Sequence, residues 1–272
     1  MRLGLFAGCF GLWVAVVAMP LEAAPNPWQR VVIIGASASA GFLLAEPLGG
    51  TNTTRCRLNY YLDAAITAPH PAAQNLAASL MFLNPETFAV IQIAAVTNAA
   101  PTLVVGADFL FWFCYGRGRN DGERAQRFET GLKYLEEIHC PLVVGDIPDA
   151  SSATNTGIIS PAQVPSEPAR RAANQRLHEW ATTQPLVTLL PLAQFMHATM
   201  ANEALRLHRS HLPAGKTRAL LQSDRLHPNP QGAAMLALGI LDALVVQQTN
   251  FPAADICWNP QQVFRVGSDS IP

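Results

Sequence analysis

A short motif in the last quarter of the chain pairs an acid with a histidine at a spacing that suits acid–base chemistry. Asp224 and His227 are separated by two residues, so the carboxylate can reach one ring nitrogen while the other stays free. Pro228 disfavours a helical conformation at the residue before it, so we expect His227 on an extended, exposed turn. An acid that orients a histidine is two-thirds of a catalytic triad. The motif predicts a general base at His227, and it requires a nucleophile elsewhere in the chain.

The best candidate for this nucleophile is Ser37, which follows the short apolar run Val31–Ile34 and two small residues. A nucleophilic serine suits the turn between a strand and a helix, because the helix N-terminus offers free backbone N–H groups to a developing oxyanion. Ser37 could instead cap the next helix, as serines commonly do. Ser39 is the rival serine, but it should point into the first helical turn, where capping suits it better. We therefore expect Ser37 to be the nucleophile.

An early serine and a late Asp-x-x-His motif occur in the order found in the SGNH, or GDSL-like, hydrolases, and the chain resembles that family. The resemblance in the order of elements covers the chain from about Val31 to Val246. Only the motifs that contain Ser37 and His227 match specifically. The resemblance implies an α/β fold, a three-layer doubly wound sandwich around a central parallel sheet. It also implies that a carboxylic ester, acyl or acetyl, is cleaved through an acyl-enzyme on Ser37. His227 would then be the general base and Asp224 its partner.

The chain departs from the family pattern where a side chain should donate a hydrogen bond to the oxyanion. In the family's Gly-x-Asn-Asp block an asparagine is this donor, but Gly106-Ala107-Asp108-Phe109 places Asp108 at its position. A carboxylate cannot donate unless it is protonated, and its charge opposes an oxyanion. Gly118-Arg119-Asn120-Asp121 matches the block literally but lies later, in a polar loop where Asn120 would cap the following helix. Asp108 and Asn120 are therefore both candidates for the oxyanion site.

The elements that must position these residues alternate between strand and helix, which predicts a parallel sheet covered by helices on both faces. Buried parallel strands are predicted from four near-continuous apolar runs, which are Val31–Ile34, Leu103–Phe113, Pro141–Gly145 and Leu186–Leu190. Helices are predicted from the spacing of apolar residues over Gly122–Ile138, Pro168–Thr182 and Gln231–Val246. Glu46–Pro85 and Asp149–Pro168 are expected to be loops over the carboxyl edge of the sheet, where such folds bind ligands.

Composition limits the classes of partner. Charged residues make up 14% of the 272 residues and the net charge is −1, whereas a typical soluble domain is about 25% charged. Binding nucleic acid requires a concentrated basic surface, so we do not expect a nucleic-acid partner. The histidines show no metal-ligand spacing, and Gly35 and Gly41 do not complete a G-x-G-x-x-G fingerprint. We therefore expect neither a metal nor a dinucleotide cofactor. We expect the substrate to be a small-molecule, glycan or lipid ester.

Residues 1–24 have the pattern of an export signal, with Arg2 followed by an apolar segment and then small residues. We expect cleavage to leave one periplasmic or secreted domain over residues 25–272, with no membrane span; an uncleaved N-terminal anchor is the alternative. Export would permit disulfides, and Cys56–Cys257 is the pair to test first.

Two alternatives to hydrolysis remain open from the sequence. The acyl group could pass to an acceptor other than water. The same fold, without its side-chain oxyanion donor, could also serve as a non-catalytic carbohydrate- or envelope-binding protein.

Overall fold

A five-stranded parallel sheet forms the centre of the protein. The computed structural model describes residues 26–47, 49–116, 118 and 120–271, so the predicted export signal lies outside the described residues. The strand order is β2-β1-β3-β4-β5, with all neighbours parallel. The strands are β1 (Val31–Ile33), β2 (Gln74–Asn75), β3 (Leu103–Gly106), β4 (Leu142–Gly145) and β5 (Val187–Leu190). This order is that of a doubly wound α/β sheet and confirms the predicted fold class.

Helices cover both faces of the sheet. They are α1 (Ser37–Ala40), α2 (Leu58–Ala65), α3 (Pro85–Ala99), α4 (Phe111–Tyr115), α5 (Asp121–Glu136), α6 (Glu167–Thr182), α7 (Leu192–Ala201), α8 (Pro230–Gln247) and α9 (Pro260–Asp269). A hairpin of β6 (Leu205–Arg206) and β7 (His211–Leu212) lies between α7 and α8.

Alternation along each strand divides the core into two layers. Val31 and Ile33 belong to the cluster that contains α2, α8 and α9, whereas Val32 and Ile34 belong to the cluster that contains α3, α4 and α5. Successive strand side chains point to opposite faces, so a strand that is apolar at every position is buried on both sides. Helix α8 has the length and apolarity of a membrane span, but most of it is buried inside the protein.

The three predicted helices correspond to α5, α6 and α8, and their starts follow from local sequence. Asn120, Ser166 and Asn229 each accept a backbone N–H in the first turn of the helix that follows. Such side-chain caps satisfy donors that the helix itself leaves unpaired. The cap at Asn229 matters for the site, because α8 begins at Pro230 and so ends the turn that carries His227.

The strand predicted over Leu103–Phe113 is wrong beyond Gly106. The chain turns there, with the Phe109 N–H donating to the Gly106 carbonyl at 3.3 Å, and α4 follows. All five side chains of α4 are buried, so their apolar run carries no periodicity that separates a strand from a helix.

The loop predicted over Glu46–Pro85 is also wrong in part, because it contains α2 and β2. Helix α2 has a buried face and packs against α8 and α9. Strand β2 consists of two polar residues at the edge of the sheet, so it has no apolar run that would reveal it.

The described cysteines Cys56, Cys114, Cys140 and Cys257 form no disulfide. Cys56 precedes α2, whereas the Cys257 N–H donates to the carbonyl of Ala65 at the other end of that helix. Helix α2 alone separates the two by about 10 Å at ~1.5 Å per residue, more than the Cα–Cα distance of about 4.4–6.8 Å in a disulfide. The pair suggested by the sequence is therefore not joined in this fold.

Candidate active site

The candidate site lies at the carboxyl edge of the sheet, where the strand order reverses. Ser37 follows β1, and Asp108 follows the neighbouring strand β3. Doubly wound sheets bind their ligands in the crevice at this reversal, because the two connections leave in opposite directions. The topology therefore brings the predicted nucleophile to the usual ligand-binding position of the fold.

The structure brings Ser37, His227 and Asp224 into one hydrogen-bonded chain. The Nε2 atom of His227 lies 2.8 Å from the Ser37 Oγ, and its Nδ1 atom lies 2.7 Å from the Asp224 Oδ2. All three residues are buried, so the turn that carries His227 is not the exposed one expected from the sequence. With Nδ1–H donating to the carboxylate, Nε2 is free to accept the serine hydroxyl proton, which is the division of roles in a nucleophile–base–acid triad.

The turn that carries Asp224 explains how this carboxylate remains ionised inside the protein. Its Oδ1 accepts the backbone N–H groups of Leu226 and His227, both at 3.0 Å. Arg225 adopts a left-handed conformation (φ 60°), which folds the turn back toward the acid. Burial acts to raise the pKa of Asp224, but the hydrogen bond and charge of His227 and the two backbone donors outweigh it, so this pKa is below its ordinary value.

Two further contacts fix the histidine turn against the rest of the site. The Phe42 ring packs on the imidazole, with ring centroids 4.2 Å apart and an interplanar angle of 33°. The Gln222 side chain donates to the carbonyls of Phe42 and Pro228, at 2.8 and 2.9 Å. The Gln222 backbone N–H donates to the His227 carbonyl at 2.9 Å. The Phe42 ring and the Gln222 side chain thus connect the segment after α1 to the histidine turn.

Asp108 is not an oxyanion donor, which corrects one of the two candidates from the sequence. Its Oδ1 accepts from the Ala36 N–H at 3.0 Å and the Ser39 hydroxyl at 2.6 Å. Its Oδ2 accepts from the N–H groups of Ala38 and Ser39, at 2.8 and 3.2 Å. Asp108 therefore acts only as an acceptor, holding the turn around Ser37. Ser39 is not the helix cap expected from the sequence, since its hydroxyl donates to this carboxylate.

Asn120, the other candidate, has a structural contact that accounts for its position. Its side-chain oxygen accepts the Glu123 N–H at 2.9 Å, so Asn120 is the N-cap of α5. The side chain is exposed. The literal match to the family's Gly-x-Asn-Asp block is thus a helix cap, and the candidacy of Asn120 as an oxyanion donor has no support in its contacts.

The backbone N–H of Ser37 is the donor that this turn leaves available. Those of Gly35, Ala36, Ala38 and Ser39 all donate to side-chain oxygens. Among the described residues, none accepts a hydrogen bond from the Ser37 N–H. It lies at the first position of α1, where an N–H has no partner within the helix. This amide is therefore free to bind an oxygen of a ligand.

Sequence reasoning missed two residues at the site, Gln92 and Phe42. Gln92 is 2% exposed and bonds both the N–H and the carbonyl of Gly35, at 2.7 and 3.0 Å. The signal for Gln92 is a lone amide inside the apolar run of α3. Phe42 has no comparable signal, because its position beside the imidazole depends on how the chain folds back. Among the described residues, no group of three or more His, Cys, Asp or Glu side chains could hold a metal ion.

Comparison with known proteins supports the fold. No family model and no curated protein sequence matches the chain. Among solved structures, the fold is similar to that of a lipase/acylhydrolase from Enterococcus faecalis, with a TM-score of 0.53 at 16% identity, over 85% of this chain and 98% of that one. It is also similar to a Bacillus subtilis protein, with a TM-score of 0.50 at 16% identity, over 80% of this chain and 57% of that one. The likeness confirms the fold implied by the family resemblance; at such identities it shows the fold alone.

Proposed function

We propose that this protein is a serine hydrolase that cleaves a carboxylic ester through an acyl-enzyme on Ser37. The observation that carries the proposal is the hydrogen-bonded chain from the Ser37 Oγ through His227 to Asp224, with distances of 2.8 and 2.7 Å. A hydroxyl is a weak nucleophile at its ordinary pKa, and an adjacent base that is itself oriented by an acid activates it. Ser37 follows β1 at the carboxyl edge of the sheet, which is where doubly wound folds bind their ligands.

In the acylation step, His227 Nε2 removes the Ser37 hydroxyl proton while Oγ attacks the ester carbonyl carbon. Asp224 keeps the proton on Nδ1 and stabilises the positive charge that forms on the imidazole. The tetrahedral intermediate then breaks its bond to the alcohol oxygen, which takes the proton from His227 and leaves. The acyl group remains on Oγ as an ester.

In the deacylation step, His227 removes a proton from a water molecule that attacks the acyl carbonyl. The second tetrahedral intermediate collapses, the Ser37 Oγ recovers its proton from His227, and the carboxylic acid leaves. If another alcohol takes the place of water, the same steps produce acyl transfer. Hydrolysis is the reaction we propose, since it needs no second binding site.

The developing oxyanion would be stabilised mainly by the backbone N–H of Ser37. Asp108 occupies the position of a side-chain donor without being able to donate. Loss of one oxyanion donor costs about 3 kcal/mol of activation free energy in other hydrolases. We therefore propose a slower enzyme than a hydrolase of this fold that has the donor.

Turnover of a short-chain aryl ester tests the proposal. Ser37→Ala should abolish turnover, since loss of a triad member lowers kcat by several orders of magnitude. Ser270→Ala is the matched control, because Ser270 is an exposed serine whose hydroxyl donates to the Val266 carbonyl of α9 at 2.8 Å. Equal turnover in wild type and Ser37→Ala would refute the proposal. No turnover in any form would favour the non-catalytic carbohydrate- or envelope-binding protein.

We also propose that the protein is exported, on the pattern of residues 1–24. Its mature N-terminus, determined after expression in a bacterium with an export pathway, tests this. A start within residues 19–25, in protein from the periplasm or medium, is the expected result. An intact Met1 in membrane-bound protein would instead support the uncleaved anchor.

A further inference from the structure

Gln92 is a buried amide that contacts the turn leading to the nucleophile at Gly35, whereas Asp108 bonds Ala36, Ala38 and Ser39. It lies on α3 among the apolar residues Ala89, Ile93 and Val96, and is 2% exposed. Burying an amide among apolar side chains costs free energy unless both its donor and acceptor are bonded. A leucine would fill this position without that cost. The presence of glutamine therefore points to the contact that its amide makes.

The contact is a two-point hydrogen bond to a single residue of the turn. The Gln92 Oε1 accepts the Gly35 N–H at 2.7 Å, and its Nε2 donates to the Gly35 carbonyl at 3.0 Å. Two bonds to one residue fix both peptide planes that flank it, whereas one bond would let it rotate. The Gly35 carbonyl also accepts the Ala78 N–H at 3.0 Å.

Gly35 is the point at which the direction of the chain is set before Ser37. Its φ of 136° lies in a region of backbone conformation that residues other than glycine rarely adopt. A glycine has the widest conformational freedom of any residue, so an outside contact is needed to keep it in one conformation. Asp108 holds the turn only from Ala36 onward. Gln92 is the described side chain that holds Gly35 itself.

We infer that Gln92 is a positioning residue for Ser37, and this inference rests on the proposed function. By fixing Gly35, the Gln92 amide sets the direction in which the Ser37 Oγ meets His227 and the Ser37 N–H meets the ester oxygen. It touches neither the substrate nor the reacting atoms. A displacement of about 1 Å at a reacting group can lower a rate by ~100-fold.

Gln92→Leu tests the inference against Ile93→Ala, a neighbouring core substitution on α3 that leaves the turn untouched. Both should lower the melting temperature: Gln92→Leu leaves the Gly35 N–H without its acceptor, and Ile93→Ala leaves a cavity beside α3. For a short-chain aryl ester, Gln92→Leu should lower kcat by about 10- to 100-fold with little change in KM, because orientation rather than binding is lost. Ile93→Ala should keep kcat within about twofold at a temperature where both variants are folded. An equal kcat in the two variants would overturn the inference.

Gln92→Glu supplies a readout that a merely structural role would not produce. A protonated carboxyl has the same acceptor and donor as the amide, so it can bond both the N–H and the carbonyl of Gly35. An ionised one cannot donate, and its negative charge opposes the Gly35 carbonyl oxygen. Burial at this position favours the protonated form.

The ratio of kcat in Gln92→Glu to kcat in wild type should therefore be near one at the acid end and fall as pH rises. Any pH dependence that the two proteins share cancels in the ratio. A ratio that does not change with pH, together with a Gln92→Leu variant as active as Ile93→Ala, would overturn the inference while leaving the function intact. Wild-type protein that lacks Ser37-dependent turnover would instead refute the proposed function.

Discussion

Asp108→Asn separates the family pattern from the structure, because the two predict opposite results. On the family pattern, an asparagine restores a side-chain donor to the oxyanion, so activity should stay the same or rise. In the structure, both carboxylate oxygens accept hydrogen bonds, from three backbone N–H groups and the Ser39 hydroxyl. An asparagine has one acceptor oxygen and one donor group in their place. We therefore expect the substitution to weaken the turn that carries Ser37.

The magnitude follows from the geometry of these bonds. In its better orientation, the new NH₂ replaces Oδ1, where it can donate to Ser39 but opposes the Ala36 N–H. One bond to a charged acceptor is lost, worth about 1.5–3 kcal/mol, and the remaining bonds lose their charge assistance. The free energy of unfolding should fall by about 3 kcal/mol, which at ~2–4 °C per kcal/mol corresponds to a melting temperature lower by about 6–12 °C.

The assay is thermal unfolding followed by circular dichroism, together with kcat on a short-chain aryl ester at a temperature where the variant is folded. We expect kcat to fall at least about tenfold, because the Ser37 turn loses a constraint. Asp146→Asn is the matched control. Asp146 follows β4 at the same sheet edge, burial raises its pKa, and its Oδ1 accepts the Ala193 N–H at 2.6 Å. The control should change both quantities little. An Asp108→Asn protein as stable as wild type, and as active or more so, would refute this reasoning.

Three further substitutions test other parts of the site. Asn120→Ala should lower the free energy of unfolding by about 1 kcal/mol, the usual contribution of an N-cap, without changing kcat. A loss of kcat of about a hundredfold in folded protein would instead show that Asn120 is an oxyanion donor. Gly35→Ala should unfold or inactivate the protein, since a Cβ there would lie 2.2 Å from an Asp108 oxygen; unchanged melting and kcat would contradict the turn geometry. Asp224→Asn should remove stability that wild type has at neutral pH. Because the folded-state pKa of Asp224 is lowered, that contribution is present above its unfolded pKa of about 3.9 and disappears as pH falls through the folded value; an equal stability difference at all pH values would be the contrary result.

The sequence predicts the elements that are determined by interactions between residues close together in the chain. Asp224, His227 and Pro228 define a turn by their own chemistry, and Asn229 caps the helix that follows, so this part of the site can be derived without the fold. The buried strands and the amphipathic helices show the apolar spacing of their class. The proximity of Ser37 and His227 can be predicted from the order of the strands, which the family resemblance implies.

Residues whose role depends on distant contacts could not be predicted in this way. The motif alone places Asp108 at the position of an oxyanion donor, where a carboxylate cannot donate. The four groups that donate hydrogen bonds to its carboxylate lie about seventy residues earlier in the chain. Gln92 appears from sequence as one polar residue on an apolar helix, and only the fold brings it to Gly35. The apolar run after Gly106 contains no periodicity that would separate β3 from α4. In each case the decisive interaction is tertiary.

The central claim is that Ser37 is an activated nucleophile, and the site of covalent labelling by a fluorophosphonate tests it most directly. Only a serine with an oriented base should react, so peptide mass spectrometry of the labelled wild-type protein should find one adduct, on the peptide that contains Ser37. Ser37→Ala should carry no adduct, His227→Ala should label far more slowly, and Ser270→Ala should label as wild type does. An adduct on another residue, or equal labelling of wild type and Ser37→Ala, would contradict the account.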